Sequence, residues 1–253
     1  MLSKQKHSQT PIIPWVPGVL KRRRRVPEWM DTPGLDPEMH RQALRGLATL
    51  NRLSNSSRVF VKPIRKLWEK EKRRLLLVDA GCGRGDLIAG LSSALRGRLE
   101  FHGLDISSTA TQFAGTRHLP DTRFHVADLL GDWPEAVPPQ PDVIISSLVF
   151  HHFDEEDLIK ILRDWKARNP KLILISDLRR RWLDWWLIWL SARLFTSSPV
   201  VHVDSALSVQ GAFSRRELRR IFREAGLEGA RVYSAFPCRW FVVWKNQGEP
   251  LDG

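Results

Sequence analysis

The chain has 253 residues, 42% of them apolar and 27% charged, which is an ordinary composition for a globular protein with a buried core. The formal net charge of +12 belongs entirely to residues 1–74, where 18 Lys and Arg face 6 Asp and Glu, whereas residues 75–253 hold 22 of each. Two cysteines are too few for a disulfide framework or a cysteine-ligated zinc site, and no apolar run approaches the ~20 residues of a membrane span. With no secretory signal in its polar, proline-rich N-terminus, we expect a cytoplasmic protein.

The N-terminal third divides into a tail, residues 1–27, and a helical extension, residues 28–74. The tail carries four prolines and a run of five consecutive basic residues, a pattern that resists regular structure and predicts mobility. In the extension, Asp36 and Pro37 suit the N-cap and the first position of a helix. Pro63 is expected to split this helical region in two.

From Leu75 onward, short apolar runs alternate with helical stretches, which is typical of right-handed crossovers in an open parallel sheet. Ser214 and Glu217 fit a capping box that opens a last helix, and two strands separated by only a turn follow it. The first predicted strand begins at 75, and the others cover residues 99–105, 123–128, 142–146, 172–177, 230–235 and 239–244. The sequence thus predicts a Rossmann-like α/β domain over residues 75–245, with a doubly wound, mostly parallel seven-stranded sheet, a C-terminal antiparallel hairpin and a Trp-rich insert at 179–210.

Glycines and acids gather where the first three predicted strands end. The loop 81–85 holds three glycines directly after the first strand, and glycines there let the backbone approach a ligand where a Cβ would clash. Asp79 ends that strand and is placed to meet a cationic amino group. Asp105 ends the second strand, where an acid can accept from two ribose hydroxyls, and Asp128 ends the third. Open α/β sheets bind ligands at these ends.

The segments DAGCGRGD, GLDIS, VADLL and DVIISSLVFHHF, followed by the closing hairpin, resemble the successive motifs of class I S-adenosylmethionine-dependent methyltransferases. The resemblance implies S-adenosylmethionine as the cofactor, with its amino-acid portion against the loop 81–85, its ribose on Asp105 and its adenine by Asp128. The cofactor-binding residues that it implies are Asp79, Gly81, Gly83, Gly85, Asp105, Ile106, Asp128, Leu129 and Ser147. The glycine spacing and the hairpin set the chain apart from NAD-dependent Rossmann enzymes.

Three histidines are candidates for the catalytic base. In such methyltransferases the loop after the fourth strand borders the methyl donor and the acceptor, and here it contains His151 and His152. A phenol or enol acceptor needs a base, for which His is the usual side chain, although either residue could instead hydrogen-bond the loop. In the insert, His202 with Asp204 could orient or ionise an acceptor hydroxyl, or could form a local structural hydrogen bond. We predict no metal ion.

The insert begins with the segment RRRWLDWWLIWLSARLF, residues 179–195, which is basic and then strongly apolar and aromatic. As a helix it could pack on the core or in a dimer interface. Alternatively, it could close over an apolar acceptor, for which Trp182 and Trp186 are candidate wall residues, or lie against an anionic membrane surface together with the basic tail. The sequence leaves these alternatives and the oligomeric state open.

From the sequence we expect methyl transfer to an apolar, aromatic small molecule of polyketide, quinone or lipid type. One alternative is an RNA or protein methyltransferase that uses the basic N-terminal region. A planar-amine acceptor would suit an N/D-P-P-Y/F motif after the fourth strand, but that position reads Ser146-Ser147-Leu148-Val149, which makes nucleic acid an unlikely partner. Another alternative is a non-catalytic cofactor-binding protein at a membrane surface.

Overall fold

The structure is a computed structural model that describes residues 20–31, 34–53 and 57–246. Its strands are β1 (Leu75–Ala80), β2 (Leu99–Asp105), β3 (Thr122–Val126), β4 (Val143–Ser147), β5 (Leu172–Leu178), β6 (Arg231–Ala235) and β7 (Arg239–Lys245). Its α-helices are α1 (Pro37–Leu53), α2 (Arg58–Glu71), α3 (Asp86–Ala94), α4 (Ser108–Gly115), α5 (Glu155–Ala167), α6 (Trp182–Phe195), α7 (Pro199–Gly211) and α8 (Arg215–Glu224). Short 3₁₀ helices lie at Trp29–Asp31 and Phe150–His152.

The strands form one seven-stranded sheet in the order β3-β2-β1-β4-β5-β7-β6. Strands β1 to β5 run parallel, whereas β7 is antiparallel to both β5 and β6. The predicted fold class is therefore confirmed, including the closing hairpin. The order reverses at β1, which lies between β2 and β4, so the carboxyl ends of these strands flank a topological switch point.

The core lies on both faces of the sheet because successive strand residues point to opposite sides. On one face, Val78 and Ile144 pack with residues of α5 and α8, among them Trp165 and Phe222. The other face packs against α2 and α3. This packing on two faces explains why the parallel strands are apolar throughout rather than alternating. It fixes the strand ends that carry the site.

The predicted division of the helical extension at Pro63 is wrong. The break between α1 and α2 falls earlier, and Pro63 lies inside α2. A proline at this position removes one helical hydrogen bond. The buried side chains Phe60 and Ile64 lie on either side of it and pack into the core, which offsets that loss. The predicted Asp36 cap is confirmed, since its Oδ1 accepts from the backbone N–H groups of Glu38 and Met39 at 3.0 Å.

Residues 20–31, which include the last eight residues of the predicted tail, have defined contacts in the structure. They lie against α7 and the loop after β4: the Arg24 N–H donates to the Gln210 carbonyl at 3.0 Å, and Glu28 is buried. Arginine side chains satisfy backbone carbonyls here, and composition alone does not reveal such contacts. Residues 1–19, the remainder of the predicted tail, lie outside the described residues.

The insert between β5 and α8 consists of two helices, α6 and α7. Helix α7 is largely buried and packs on α1 and α6, with Val200 and Val201 in a small cluster beside Ala43 and Ala192. Helix α6 buries Trp185 but exposes most of its other large apolar side chains. Within the described ranges, every helix is too short or too polar to cross a membrane.

Candidate active site

The end of β1 carries a buried acid without a partner. Asp79 is 1% exposed, and among the described residues neither carboxylate oxygen has a hydrogen-bond partner. Burial, together with the negative charge of Asp105, raises the pKa of Asp79 to about 8. Since an unsatisfied buried carboxylate is costly, this position suits a ligand that brings a cation or a hydrogen-bond donor.

The glycine loop after β1 requires its glycines for two separate reasons. Gly81 has a φ of +80°, and a Cβ there would collide with the Val149 side chain in the loop after β4. Gly83 has a φ of +51°, but a Cβ there would meet no heavy atom within 4 Å. The first glycine thus allows two loops to pack together, whereas the second leaves the backbone open to an approaching ligand.

Asp105, at the end of β2, ties the glycine loop to the next helix. Its Oδ2 accepts from the Gly83 N–H at 2.7 Å, and its Oδ1 accepts from the Ser107 N–H at 2.9 Å. Each oxygen keeps a second lone pair for a ligand hydroxyl. The adjacent Ile106 is 71% exposed, an unusual position for a large apolar side chain beside a polar cleft.

The other predicted cofactor residues lie on neighbouring strand ends. Asp128 follows β3 and is exposed, with its Oδ1 accepting from the Leu130 N–H at 3.0 Å. Leu129 turns inward and belongs to the core rather than to the surface of the cleft. Ser147 ends β4, where its hydroxyl accepts from Arg239 Nη1 at 3.2 Å. The roles of these residues in cofactor binding stay predictions.

His151 has a buried carboxylate partner that sequence reasoning missed. Its Nδ1 lies 2.7 Å from Oδ1 of Asp177, near the end of β5, and its backbone N–H donates to Oδ2 of the same residue at 3.3 Å. Burial would raise the pKa of Asp177, but His151 outweighs it and holds that pKa below its ordinary value. The carboxylate accepts the Nδ1 proton, so Nε2 is the atom available to act as a base.

The segment 20–31 covers the loop that carries the histidines. The Arg23 guanidinium donates to the carbonyls of Gly211, His151 and Phe153 at 2.6–3.1 Å. Arg25 donates to the His152 carbonyl at 2.9 Å. We call residues 23–28 the basic strap, because its arginines bind the outside of the loop. Glu28, at the end of the strap, lies with its Oε1 3.7 Å from the His151 Nε2.

The structure gives His202 and Asp204 partners other than the predicted ones. His202 Nε2 lies 2.9 Å from the carbonyl oxygen of Thr196, at the end of α6. The Asp204 carboxylate accepts from the backbone N–H groups of Trp29 and Met30 at 2.8 and 3.0 Å. Asp204 thereby anchors the residues that follow the basic strap. These contacts fit the structural alternative for the pair, and a role of either side chain at the acceptor stays a prediction.

Trp182 and Trp186 lie on the outer face of α6, 63% and 42% exposed. The sequence analysis named both as candidate walls of an acceptor site, whereas in the structure both side chains are exposed. The buried tryptophan of the segment is Trp185, which packs against α7. The sequence does not indicate which side of α6 faces inward, because apolar residues surround the helix on nearly all sides.

A sequence profile of the family described as "Methyltransferase domain" matches residues 77–168, from β1 to the end of α5. Residues 77–168 are a methyltransferase domain. The match includes the glycine loop, Asp105, Asp128 and both histidines of the loop after β4. The predicted enzyme class is confirmed. A search of curated protein sequences finds no significant match.

Solved structures with the same fold are methyltransferases at low sequence identity. The plantazolicin methyltransferase BpumL, in complex with a triazolic desmethylPZN analog and SAH, is 17% identical with a TM-score of 0.63 over 83% of this chain and 92% of that one. Magnesium protoporphyrin IX methyltransferase from Synechocystis PCC 6803, with bound SAM, is 16% identical with a TM-score of 0.51 over 85% and 86%. The CurJ carbon methyltransferase is 16% identical with a TM-score of 0.55 over 75% and 53%. The ligands of the first two support the predicted cofactor.

Proposed function

We propose that this protein transfers the methyl group of S-adenosylmethionine to a nucleophilic oxygen or carbon of an apolar, aromatic small molecule. The observation that carries the proposal is the buried carboxylate of Asp79, which has no hydrogen-bond partner among the described residues, beside the glycine loop; the loop after the neighbouring strand β4 carries a histidine that a buried aspartate orients. When bound, the cofactor supplies a methyl group activated by a sulfonium. The chain supplies positioning, which by itself accounts for much of the rate in such a transfer.

The residues at the strand ends fit this cofactor. Asp79 would receive its ammonium group, which would satisfy a carboxylate that has no hydrogen-bond partner within the described part of the chain. Asp105 would accept from the ribose hydroxyls while its present bonds hold the glycine loop in place. The exposed Ile106 would cover one face of the adenine, and Asp128 would lie by its amino group.

His151 is the group best placed to take up the proton of the acceptor. Asp177 fixes the ring orientation and stabilises the charge that His151 gains on protonation. A small molecule is favoured as the acceptor because residues 75–253 carry no net charge that would attract a polyanion. The names of two structural neighbours, which specify plantazolicin and magnesium protoporphyrin IX, point the same way.

The proposal is tested by offering the protein S-adenosylmethionine with a labelled methyl group and a whole-cell extract separated into apolar metabolites, protein and RNA. We expect the label in the apolar fraction, in a product identified by mass spectrometry, and not when His151→Ala replaces the wild type. Label in protein or RNA would support a macromolecular acceptor instead. Label in no fraction, with a folded protein, would contradict the proposed activity.

The buried position of Asp79 predicts pH-dependent cofactor binding. With a pKa of about 8, the free protein holds this carboxyl mostly protonated at pH 7, and the cofactor ammonium stabilises only the ionised form. Affinity should therefore rise between pH 6 and pH 8, by at most about tenfold per unit, and binding at pH 7 should release a proton. Calorimetry at one pH in buffers of different ionisation enthalpy measures that proton.

Asp79→Asn is the matched variant for this prediction. It should bind the cofactor more weakly and lose the pH dependence. A carboxyl whose folded pKa lies above its unfolded value costs stability progressively as pH rises from about 4 to 8. The variant should therefore melt at a higher temperature than the cofactor-free wild type at pH 8. A wild-type affinity that does not change with pH would contradict the assignment.

We propose further that the outer face of α6 contacts an anionic membrane surface. Its large apolar side chains are 42–66% exposed and follow helical spacing: they are Trp182, Leu183, Trp186, Leu187, Leu190, Leu194 and Phe195. The segment that leads into the basic strap starts beside this helix, because Leu20 packs next to Trp185 and its carbonyl accepts from Arg180. Lys21 and Arg22 directly follow Leu20 and are exposed, so they would supply positive charge near α6 for anionic headgroups while the apolar side chains of the helix enter the acyl chains.

Leu190→Ser with Leu194→Ser tests this contact. Both side chains are exposed, so the fold should persist, whereas loss of two inserted leucines at about 1.5 kcal/mol or more each should weaken vesicle binding roughly a hundredfold. Co-sedimentation with phosphatidylglycerol-containing vesicles measures the effect, and Tyr233→Ser on β6 removes an equally exposed side chain as the control. A wild-type dimer that the double variant converts to monomer would instead make this face a subunit interface.

A further inference from the structure

Three side chains with metal-binding atoms converge at the loop after β4. Glu28 comes from the basic strap, and His151 and His152 come from the 3₁₀ helix of that loop. One carboxylate oxygen and one nitrogen from each ring all lie within 4.8 Å of one another. Glu28 and His151 are buried and His152 is partly buried, so the cluster is not a chance meeting of exposed side chains.

The spacing is close to that of a metal centre before the ion is bound. Ligand atoms on a tetrahedral zinc ion, with bonds of about 2.0–2.1 Å, lie about 3.4 Å apart. Glu28 Oε1 and His151 Nε2 are 3.7 Å apart, and one ring nitrogen of His152 lies within 4.8 Å of a ligand atom of each. Side-chain movements of less than an ångström would bring Glu28 Oε1 and His151 Nε2 to the separation of two ligand atoms on one ion.

The groups behind the ligand atoms fit a metal centre as well. A histidine ligand ordinarily passes the proton on its other nitrogen to a carboxylate or carbonyl, which fixes the ring and raises the basicity of the ligand atom. Asp177 does this for His151, with Oδ1 2.7 Å from Nδ1. The Ser208 hydroxyl donates to the Glu28 carboxylate, so the acid ligand is held too.

Both halves of the cluster are positioned by hydrogen bonds outside it. Asp204 accepts from the two backbone N–H groups that directly follow Glu28, and Arg23 donates to the carbonyls of His151 and Phe153. Gly211 packs closely against this loop, since a Cβ there would lie 3.0 Å from the His151 carbonyl oxygen, which is tighter than most such contacts. The basic strap and the loop are therefore built to meet at this point.

Although the sequence alone predicts no metal ion, we propose that Glu28, His151 and His152 bind one divalent transition metal ion of the zinc type. Two imidazoles and one carboxylate form a ligand set that leaves at least one position for a water molecule or an acceptor oxygen. In the metal-loaded protein His151 Nε2 is a ligand, so an acceptor hydroxyl that binds the ion becomes more acidic and loses its proton to water rather than to His151. That role rests on the proposed function, whereas metal binding itself does not.

The test is titration of the metal-free, full-length protein with Zn²⁺ in competition with a chromophoric chelator, without cofactor or acceptor. We expect one tight site per chain, and Co²⁺ in its place should give visible absorption bands of a low-coordinate ion. Glu28→Gln, which keeps the size of the side chain, should weaken Zn²⁺ at least about a hundredfold. Asp177→Asn should weaken it about 10–100-fold, since it removes only the group behind the ligand.

His202→Gln is the control, because that histidine bonds the Thr196 carbonyl at the end of α6 and lies outside the cluster. It should bind Zn²⁺ as the wild type does. Cofactor affinity and the melting temperature of each metal-free variant show whether it is folded. No Zn²⁺ binding by the wild type, or equal binding by folded Glu28→Gln, would overturn the proposal and leave Glu28 as an ion-pair partner of His151. Neither result would bear on methyl transfer, which the labelled cofactor measures separately.

Discussion

Replacing His151 by alanine is expected to lower turnover by about 10²–10⁴-fold, the contribution of a positioned general base, while cofactor affinity stays nearly unchanged. The expectation rests on the buried contact with Asp177, which leaves Nε2 as the reactive nitrogen. The same loss is expected if the histidine acts through a bound metal ion. Single-turnover assays with the identified acceptor, and calorimetry of the cofactor alongside, separate the chemical step from binding.

Two further variants sharpen this prediction. Asp177→Asn should also lower turnover strongly, because the amide can no longer accept the Nδ1 proton as a carboxylate does and no longer stabilises the imidazolium. His202→Gln should turn over normally, since its ring serves α6. Near-normal turnover of His151→Ala would show that His151 is not the general base. It would indicate an acceptor that is already ionised when it binds.

Replacing Asp105 by alanine is expected to weaken cofactor binding by about 1.5–3 kcal/mol, which corresponds to roughly 10–150-fold. Two ribose hydroxyls would lose their shared acceptor, and the Gly83 N–H, which now donates to Asp105 Oδ2 at 2.7 Å, would lose its partner. Calorimetric titration with S-adenosylmethionine measures the effect directly.

Asp105→Asn and Asp128→Ala are the controls for that titration. The asparagine keeps one acceptor oxygen and the size of the side chain, so its loss should be smaller than that of alanine. Asp128 is exposed and bonds its own turn, so its removal should cost less than removal of Asp105. Wild-type affinity in Asp105→Ala would show that the ribose lies elsewhere.

The strand ends that we propose to hold the cofactor could be predicted from the sequence because the features that mark them are local. A strand, a glycine loop and a helix follow one another in the chain, and the acids come at the ends of strands that the apolar runs already mark. The parallel sheet then brings those ends together, as the register of Asp79 against Gly103 illustrates. The same rule, applied to β5, would have pointed to Asp177, which stands in the last two residues of that strand.

The contacts around the predicted histidines could not be foreseen from the sequence because the residues that make them are distant in the chain. Glu28 reaches His151 only because Arg23 and Asp204 satisfy backbone groups in separate elements, and such bonds leave no periodic pattern in the sequence. The orientation of α6 is a second case. With apolar residues on nearly all sides, only packing against α7 decides that Trp185 turns inward and Trp182 outward.

The most direct measurement of the central claim is a crystal structure of the protein with S-adenosylhomocysteine. We expect the ribose hydroxyls within hydrogen-bonding distance of the Asp105 carboxylate, the ammonium group near Asp79, and the sulfur facing the loop that carries His151. A ligand bound away from the ends of β1 and β2, or none at saturating concentration, would contradict the account.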